Sequence, residues 1–296
     1  MGLYYQPKKK VIVSGAGGLT GQILFRKLLA LPDEFQAFGL VRNEASKQKL
    51  HESGIPEANI FIADITNADA VKAAVVSIMA KSVDDDDDNH HNDGLDAFCI
   101  VTSATPIPTE QMNPRTGFPV FHFPNGNPEL VDWIGQKNQI DACPAGTHVV
   151  LCSTRGGTNP DHYLNDFGRT IHADGTISGG MIVQWKRKAE VYLMEQSPKL
   201  KYTIVHPGGL LNEPGGEREL LVGVDDKVDG TNAVNVPRED VAQVMLEALR
   251  YPDKFVGRSF DLVAKPVGEG PATTDFSSLL DGLDGKNCDY ALGATM

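Results

Sequence analysis

The chain reads as an α/β protein built on a doubly wound parallel sheet with helices on both faces. Three observations predict this. Strand-like and helix-like segments alternate from residue 8 to about residue 265. The helical segments between strands mostly run ten residues or more, which marks parallel βαβ units rather than hairpins. The strands are near-continuous apolar runs, the pattern of a sheet covered on both faces.

The elements follow in order. KKKVIVSG (8–15) is the first strand, an apolar run behind three lysines. In 19–31, Ile23, Leu24, Lys27, Leu28 and Leu31 recur at helical spacing. FQAFGLVR (35–42) is a strand, EASKQKLHESG (44–54) a polar helix closed by Gly54, and NIFIAD (59–64) a third strand. Residues 67–82 form a helix with Asn67 as N-cap, and LDAFCIVT (95–102) the fourth strand. A Pro-rich loop (103–127) leads to an amphipathic helix at 128–143, with Pro128 in its first turn. THVVLCS (147–153) is a strand, 154–178 a long loop, and 179–197 a helix ended by Pro198. LKYTIVHP (200–207) and RSFDLVA (258–264) are strands on either side of a helix at 238–250, and 273–283 reads as a short terminal helix. No internal repeat is visible.

Composition narrows the function classes. At 296 residues the chain has the length of two average domains or of one large α/β domain. With 41% hydrophobic and 22% charged residues it is too apolar for a disordered protein. A net charge of −12 argues against a nucleic-acid partner, which would need a basic face. Cys99, Cys143, Cys152 and Cys288 make no CxxC pair, so they read as reduced structural thiols and no metal site is expected. No apolar stretch reaches the ~18 residues of a membrane span. The start MGLYYQPKKK shows neither a secretory h-region nor an Arg/Ser-rich import helix. The cytoplasm or, after removal of a transit peptide, the plastid stroma is the expected compartment. The acidic run DDDDDNHHND (84–93) reads as a solvated surface loop, because like charges repel and cannot pack; weak metal binding is the other reading of its Asp and His.

The strongest chemical signal is VIVSGAGGLTGQIL (11–24), which leaves a strand and enters a helix. Gly15 allows the tight turn, Gly18 lets a pyrophosphate approach the backbone, and Gly21 lets the helix pack on the strand. With Gly17, Leu19 and Thr20 they form a dinucleotide-binding turn in which helix N-terminal amides hold phosphate. The second strand ends in Arg42, where an NAD site usually carries an acid for the ribose 2′-hydroxyl; a guanidinium pairs with a 2′-phosphate, so NADP is expected. Asp64, followed by Ile65, ends the third strand where a carboxylate can accept from the adenine amino group; a helix-capping role is the alternative. Thr102, Ser103 and Ala104 end the fourth strand, where the cofactor would cross the sheet edge.

These positions together resemble the short-chain dehydrogenase/reductase superfamily, in particular its atypical, NmrA-like NAD(P)-binding branch, over roughly residues 9–265. VDWIGQKNQID (131–141), GGTNPDH (156–162), VQWKRKAE (183–190), GGLL (208–211) and RELLVG (218–223) are especially similar to plant members of unassigned activity. The resemblance implies a single Rossmann domain over 1–296, with a substrate region formed by loops 103–127, 154–178 and 206–236. It implies that Pro207, Gly208 and Gly209, in HPGG (206–209), line the nicotinamide. Family members carry Tyr-x-x-x-Lys on the helix after the fifth strand, the tyrosine as acid/base and the lysine on the ribose. Lys186 matches the lysine, but Ile182 stands four residues before it, and Tyr163 and Tyr192 are not at that spacing.

The usual proton donor is therefore missing. Ser153 matches the family serine, and His162 and His206 are local candidates for a general acid. Phe118, Phe121, His122, Phe123 and Trp133 offer an aromatic wall, with helix packing the alternative for Trp133. Two functions stay open: an NADPH-dependent reductase of a small carbonyl or quinone, with Ser153, Lys186 and His206 as its catalytic candidates, and a catalytically silent NADP(H)-binding sensor or scaffold. An epimerase or isomerase is a more distant third. Oligomeric state is not legible.

Overall fold

The computed structural model describes residues 8–81, 94–112, 117, 119–171, 174 and 176–293; the acidic run 84–93 and Phe118 lie outside them. Eight strands form the central sheet: β1 (Lys9–Ser14), β2 (Phe35–Val41), β3 (Ile60–Ile62), β4 (Ala97–Ile100), β5 (His148–Cys152), β6 (Lys201–Pro207), β7 (Leu220–Gly223) and β8 (Arg258–Ala264). Their spatial order is β7-β8-β6-β5-β4-β1-β2-β3, parallel throughout except for β7, which runs antiparallel along β8. The chain winds from β1 out to β3 and then returns to β4 on the other side of β1. That reversal opens a crevice at the carboxyl ends of β1 and β4, where open α/β sheets bind ligands.

Alternation along β1 shows why helices cover both faces. Val11 and Val13 join one core with Leu24, Phe25 and Leu28 of α1 (Leu19–Leu29) and with Val241, Met245 and Leu249 of α6 (Arg238–Arg250). Ile12 faces the other way, into a core with Val71 and Ile78 of α3 (Ala68–Met79), Ile140 of α4 (Gln136–Asp141) and Leu193 of α5 (Ile182–Glu195). Each such side chain is worth about 1.5–3 kcal/mol when fully buried. The polar α2 (Glu44–Glu52) buries only Leu50. Asn67 caps α3 as expected, accepting from the Ala70 amide at 3.1 Å.

Several elements depart from the sequence reading. The strand β7 lies inside a stretch read as loop; it is a short antiparallel edge with no helix to announce it. Residues 273–283 do not form a terminal helix: the Asp275 carboxylate takes the Ser277 amide and the Ser277 and Ser278 hydroxyls, offering the backbone an alternative to helical bonding, and only Asp281–Leu283 makes a 3₁₀ turn. The loops around the crevice carry ribbons, pairing Ile107–Met112 with Pro119–His122, Thr170–Ile171 with Ile177–Ser178, and Gly209–Leu211 with Asn235–Pro237. The helix expected at 128–143 is present but opens in π form (Glu129–Gly135) before α4 proper (Gln136–Asp141).

The start of α5 is set by its approach. Gly179, Gly180 and Met181 all have positive φ, at 68°, 69° and 63°, so the chain turns sharply and the helix begins at Ile182 rather than at 179. Asn165, 2% exposed, fixes this turn: its Oδ1 accepts from the Val183 amide at 2.9 Å, its Nδ2 donates to the Pro160 carbonyl at 2.9 Å, and its own carbonyl accepts from the Met181 amide. Replacing Asn165 by Ala strands a buried N–H and a carbonyl. It should lower stability by about 1–3 kcal/mol, read as a lower urea midpoint at unchanged slope; an unchanged midpoint would refute the clamp.

Candidate functional site

The turn after β1 is built by close approach of backbone to backbone. Gly15 has φ +68°, and a Cβ there would lie 2.8 Å from the Val101 carbonyl oxygen. A Cβ at Gly21 would collide with the Gly15 carbonyl oxygen. Gly18 is different: it is extended at φ −85°, caps α1, and donates its N–H to the Gly15 carbonyl at 2.8 Å. Gly17 and Gly18 are exposed, Leu19 is 64% exposed and Thr20 is buried. No side chain caps the helix and its first turn carries no acid. The turn thus presents first-turn amides and their partial positive charge to the crevice, a site suited to phosphate.

The other residues singled out in the sequence surround this turn unevenly. Gly15 packs against the 101–102 backbone, bringing the first and fourth strand ends together. Thr102 is anchored by α4, its carbonyl accepting from Gln136 at 3.1 Å and its hydroxyl from Gln139 at 3.2 Å. Ser103 is exposed, and the buried Ala104 donates its amide to Asp132. Arg42 follows β2 directly, half-buried, and donates to the Asn125 carbonyl at 2.8 Å; the next residue, Asn43, caps α2. Asp64, half-buried, accepts from the Thr66 amide and hydroxyl on one oxygen, closing a local turn. Ile65 supports the site from below, its carbonyl taking Asn138 at 2.9 Å. Pro207 ends β6 buried, its carbonyl accepting from the Arg155 amide; Gly208 packs where a Cβ would strike the Val234 carbonyl, and Gly209 is exposed.

Lys186 extends from α5 to the β4 edge. Its ammonium lies 2.7 Å from Asp132 Oδ1, with the two side chains 6% and 0% exposed. Asp132 Oδ2 accepts from the Ala104 amide at 3.2 Å. Burial pushes the Asp132 carboxyl above its usual range, partly offset by the Lys186 ammonium. Asp132 sits in the π segment of the helix and escaped the sequence reading; an acid on the apolar side of an amphipathic helix was its only signal. Ile182, in the family's tyrosine position, packs with Ala104, Val131 and Val183.

Ser153 and His206 are joined by a residue the sequence reading did not single out. The Ser153 hydroxyl donates to Glu190 Oε1, and Glu190 Oε2 lies 3.0 Å from His206 Nε2. His206 Nδ1 faces Cys288 Sγ at 3.4 Å and Asp261 Oδ1 at 3.6 Å. His206 is therefore a buried, fully engaged ring and not a histidine lying open on the crevice; at most it acts through Glu190. Burial alone would disfavour the imidazolium, but the Glu190 carboxylate, aided by Tyr290, Asp261 and Cys288, holds its pKa well above the ordinary value. Burial acts on Glu190 in the opposite sense, and the His206 charge overcomes it, leaving that carboxyl below its usual range. Arg187 approaches Glu190 at 3.9 Å, stacks 4.0 Å from the Tyr290 ring and donates to the Asp289 and Leu292 carbonyls, sealing the network with the C-terminal segment. His206, Asp261 and Cys288 also form a trio of possible metal ligands, which the sequence did not suggest.

His162 is half-buried in a turn, its ring accepting from the Leu164 amide, with a pKa lowered by burial. The aromatic residues divide. Phe121 stacks on Phe167 at 4.1 Å, and Phe123 covers Gly168, on the loops beside the crevice. His122 is exposed. Trp133 packs edge-on against Tyr192 at 5.7 Å and under Lys188, in the α4–α5 contact.

Residues 15–252 match the model of the NAD(P)H-binding family. An uncharacterized chloroplastic protein of Arabidopsis thaliana is 41% identical over 274 residues, covering 91% of this chain and 74% of that protein. Sanguinarine reductase of Eschscholzia californica is 40% identical over 293 residues, covering 92% and 95% of the two chains. Among solved structures, a wide-type short-chain dehydrogenase/reductase of Veillonella parvula in complex with NADP aligns with a TM-score of 0.54 at 15% identity, over 91% of this chain and 100% of that one. At that identity the likeness speaks for the fold alone. No helix among the described residues is long and apolar enough to cross a membrane.

Two outcomes follow from this geometry. A Cβ on Gly18 would lie 3.2 Å from the Gly15 carbonyl, a contact a small shift relieves. Gly18→Ala should therefore melt within a few degrees of the wild type yet bind NAD(P)H at least about tenfold more weakly if phosphate approaches the backbone at this position; isothermal titration reads it, and undiminished affinity would remove the phosphate reading. The second outcome concerns pH. The raised His206 pKa contributes stability that is complete below about pH 6.5 and is lost as pH climbs toward the folded-state value. The lowered Glu190 pKa contributes stability that is complete above about pH 4.5 and lost below it. Melting temperature should thus decline above pH 6.5, and His206→Gln should flatten that decline.

Proposed function

This chain belongs to the NAD(P)H-binding family of atypical short-chain dehydrogenases/reductases, and from that premise we propose that it is an NADPH-dependent reductase of a small carbonyl or quinone. The observation that carries the reading is the Ser153–Glu190–His206 network behind the carboxyl edge of β5. A protein that merely holds a dinucleotide needs the phosphate turn and a ribose contact. It has no use for a serine hydroxyl coupled to buried ionised groups, which are costly to desolvate. The similarity to sanguinarine reductase supports a reductase, and the chloroplastic relative supports the plastid stroma over the cytoplasm.

The residues take these roles. The glycine turn, with Leu19 and Thr20, holds the pyrophosphate at the start of α1, Arg42 pairs with the 2′-phosphate of NADP, and Asp64 faces the adenine. Lys186, oriented by Asp132, donates to the ribose hydroxyls, while Pro207, Gly208 and Gly209 line the nicotinamide. When bound, the nicotinamide supplies the hydride. Ser153 polarises the acceptor oxygen. Ile182 moves no proton, and that observation favours the second reading, an NADP(H)-binding module without turnover.

Two measurements test the proposal. NADPH oxidation should be stimulated by members of a panel of quinones, aldehydes and sanguinarine; tight NADPH binding with no oxidation by any of them would establish the binding module instead. Titration should show NADPH preferred to NADH, and Arg42→Ala should erase that preference by weakening NADPH about ten- to a hundredfold, the loss of one charge-assisted contact of about 1.5–3 kcal/mol. Equal affinity of the wild type for both cofactors would overturn the NADP assignment.

A further inference from the structure

We propose that Glu190, with Ser153 and His206, forms a proton relay that replaces the absent tyrosine acid: it carries a proton from His206 to Ser153 and on to the oxygen of the reduced substrate. The inference rests on the reductase reading above. Ile182, Lys186 and Glu190 follow one another at four-residue intervals along α5 and so share one helix face. The family's acid position at one end of this stripe is hydrophobic. One turn beyond Lys186, at the other end, Glu190 reaches the serine at the end of β5. Acid chemistry is thereby moved from the start of the helix to its interior, on the same side of the crevice.

The links are continuous. All three side chains are buried, and Ser153, directly after β5 at the carboxyl edge of the sheet, is the member of the chain placed nearest the crevice. The titratable groups facing His206 come from four elements: Glu190 and Arg187 from α5, Asp261 from β8, Cys152 from β5, and Cys288 and Tyr290 from the C-terminal segment. Two carboxylates face the one imidazole, Glu190 Oε2 at 3.0 Å and Asp261 Oδ1 at 3.6 Å, an arrangement that favours its protonated form.

The step balances as follows. A nicotinamide held by the glycine turn and Lys186 would supply hydride to the carbonyl carbon, leaving an alkoxide that needs a proton. The Ser153 O–H bond breaks and its proton forms the product O–H bond. Ser153 Oγ is reprotonated by Glu190, which received its proton from His206 Nε2 and turned about its Cγ–Cδ bond to present it. His206 ends neutral, Glu190 ends as carboxylate and Ser153 as hydroxyl. Once product leaves, water in the crevice returns a proton along the same path.

The test compares two flat tricyclic acceptors with saturating NADPH. Phenanthrene-9-carbaldehyde becomes an alkoxide on accepting hydride and needs a proton. N-methylphenanthridinium, a cationic iminium, becomes a neutral amine and needs none. Glu190→Gln and Ser153→Ala should lower kcat for the aldehyde at least a hundredfold more than kcat for the iminium, the scale of general-acid catalysis, and Ser153→Thr should restore much of the aldehyde rate. The wild-type aldehyde kcat should fall on an alkaline limb that His206→Gln abolishes. Equal losses on both acceptors would show that the network is only structural, and a variant that keeps its aldehyde rate would show that the relay is unused. Wild type that reduces the iminium but not the aldehyde would overturn the relay and leave the reductase reading standing; wild type that reduces neither overturns both.

Discussion

The crevice depends on how closely α1 lies against the end of β1. Gly15 bends the chain with a left-handed backbone, and its carbonyl oxygen receives the Gly18 amide while Gly21 passes over it with no room for a side chain. That contact aims the helix axis at the crevice. It also brings the first strand end against Val101 and Thr102, so the glycine turn and the fourth strand edge form one surface. A single methyl at Gly21 would separate them, and the helix dipole would then point elsewhere.

Burial on both faces of a parallel sheet leaves a strong trace in a sequence, because each strand must be apolar at consecutive positions. VIVSG, FQAFGLV, AFCI and HVVLC were legible for that reason, as were the amphipathic helices between them. The edge strand β7 and the three ribbons were not legible, since short antiparallel pairs need partners that sequence spacing does not announce. The false terminal helix shows a related limit: its apolar spacing was sound, yet Asp275 diverted the backbone through side-chain bonds.

The candidate site was legible where backbone conformation dictates the residue and obscure where buried charge does the work. Gly15 and Gly21 can be read directly, since a side chain at either would run into backbone. Asp132 and Glu190 look like ordinary acids on helices until Lys186 and His206 are placed opposite them. Asn165 looks like a loop residue until it is found holding the first turn of α5. His206 shows the converse. It was read as a histidine at the sheet edge, whereas its ring turns inward to hold Glu190 and close the charge balance of the interior.

Ile182 also bears on how this chain could change over time. It is the first residue of α5, sits 7% exposed, and is wedged among Ala104, Val131 and Val183, with Phe123 and Leu164 beside it. A phenol introduced there would have to displace these neighbours, and overpacking of that kind costs about 1–3 kcal/mol. Gaining the tyrosine that the wider superfamily pattern would place here is therefore not a single-step change: at least one neighbour must shrink first, and each such change alone opens a cavity. Packing acts here as a ratchet, holding the protein to whatever chemistry it runs without that hydroxyl.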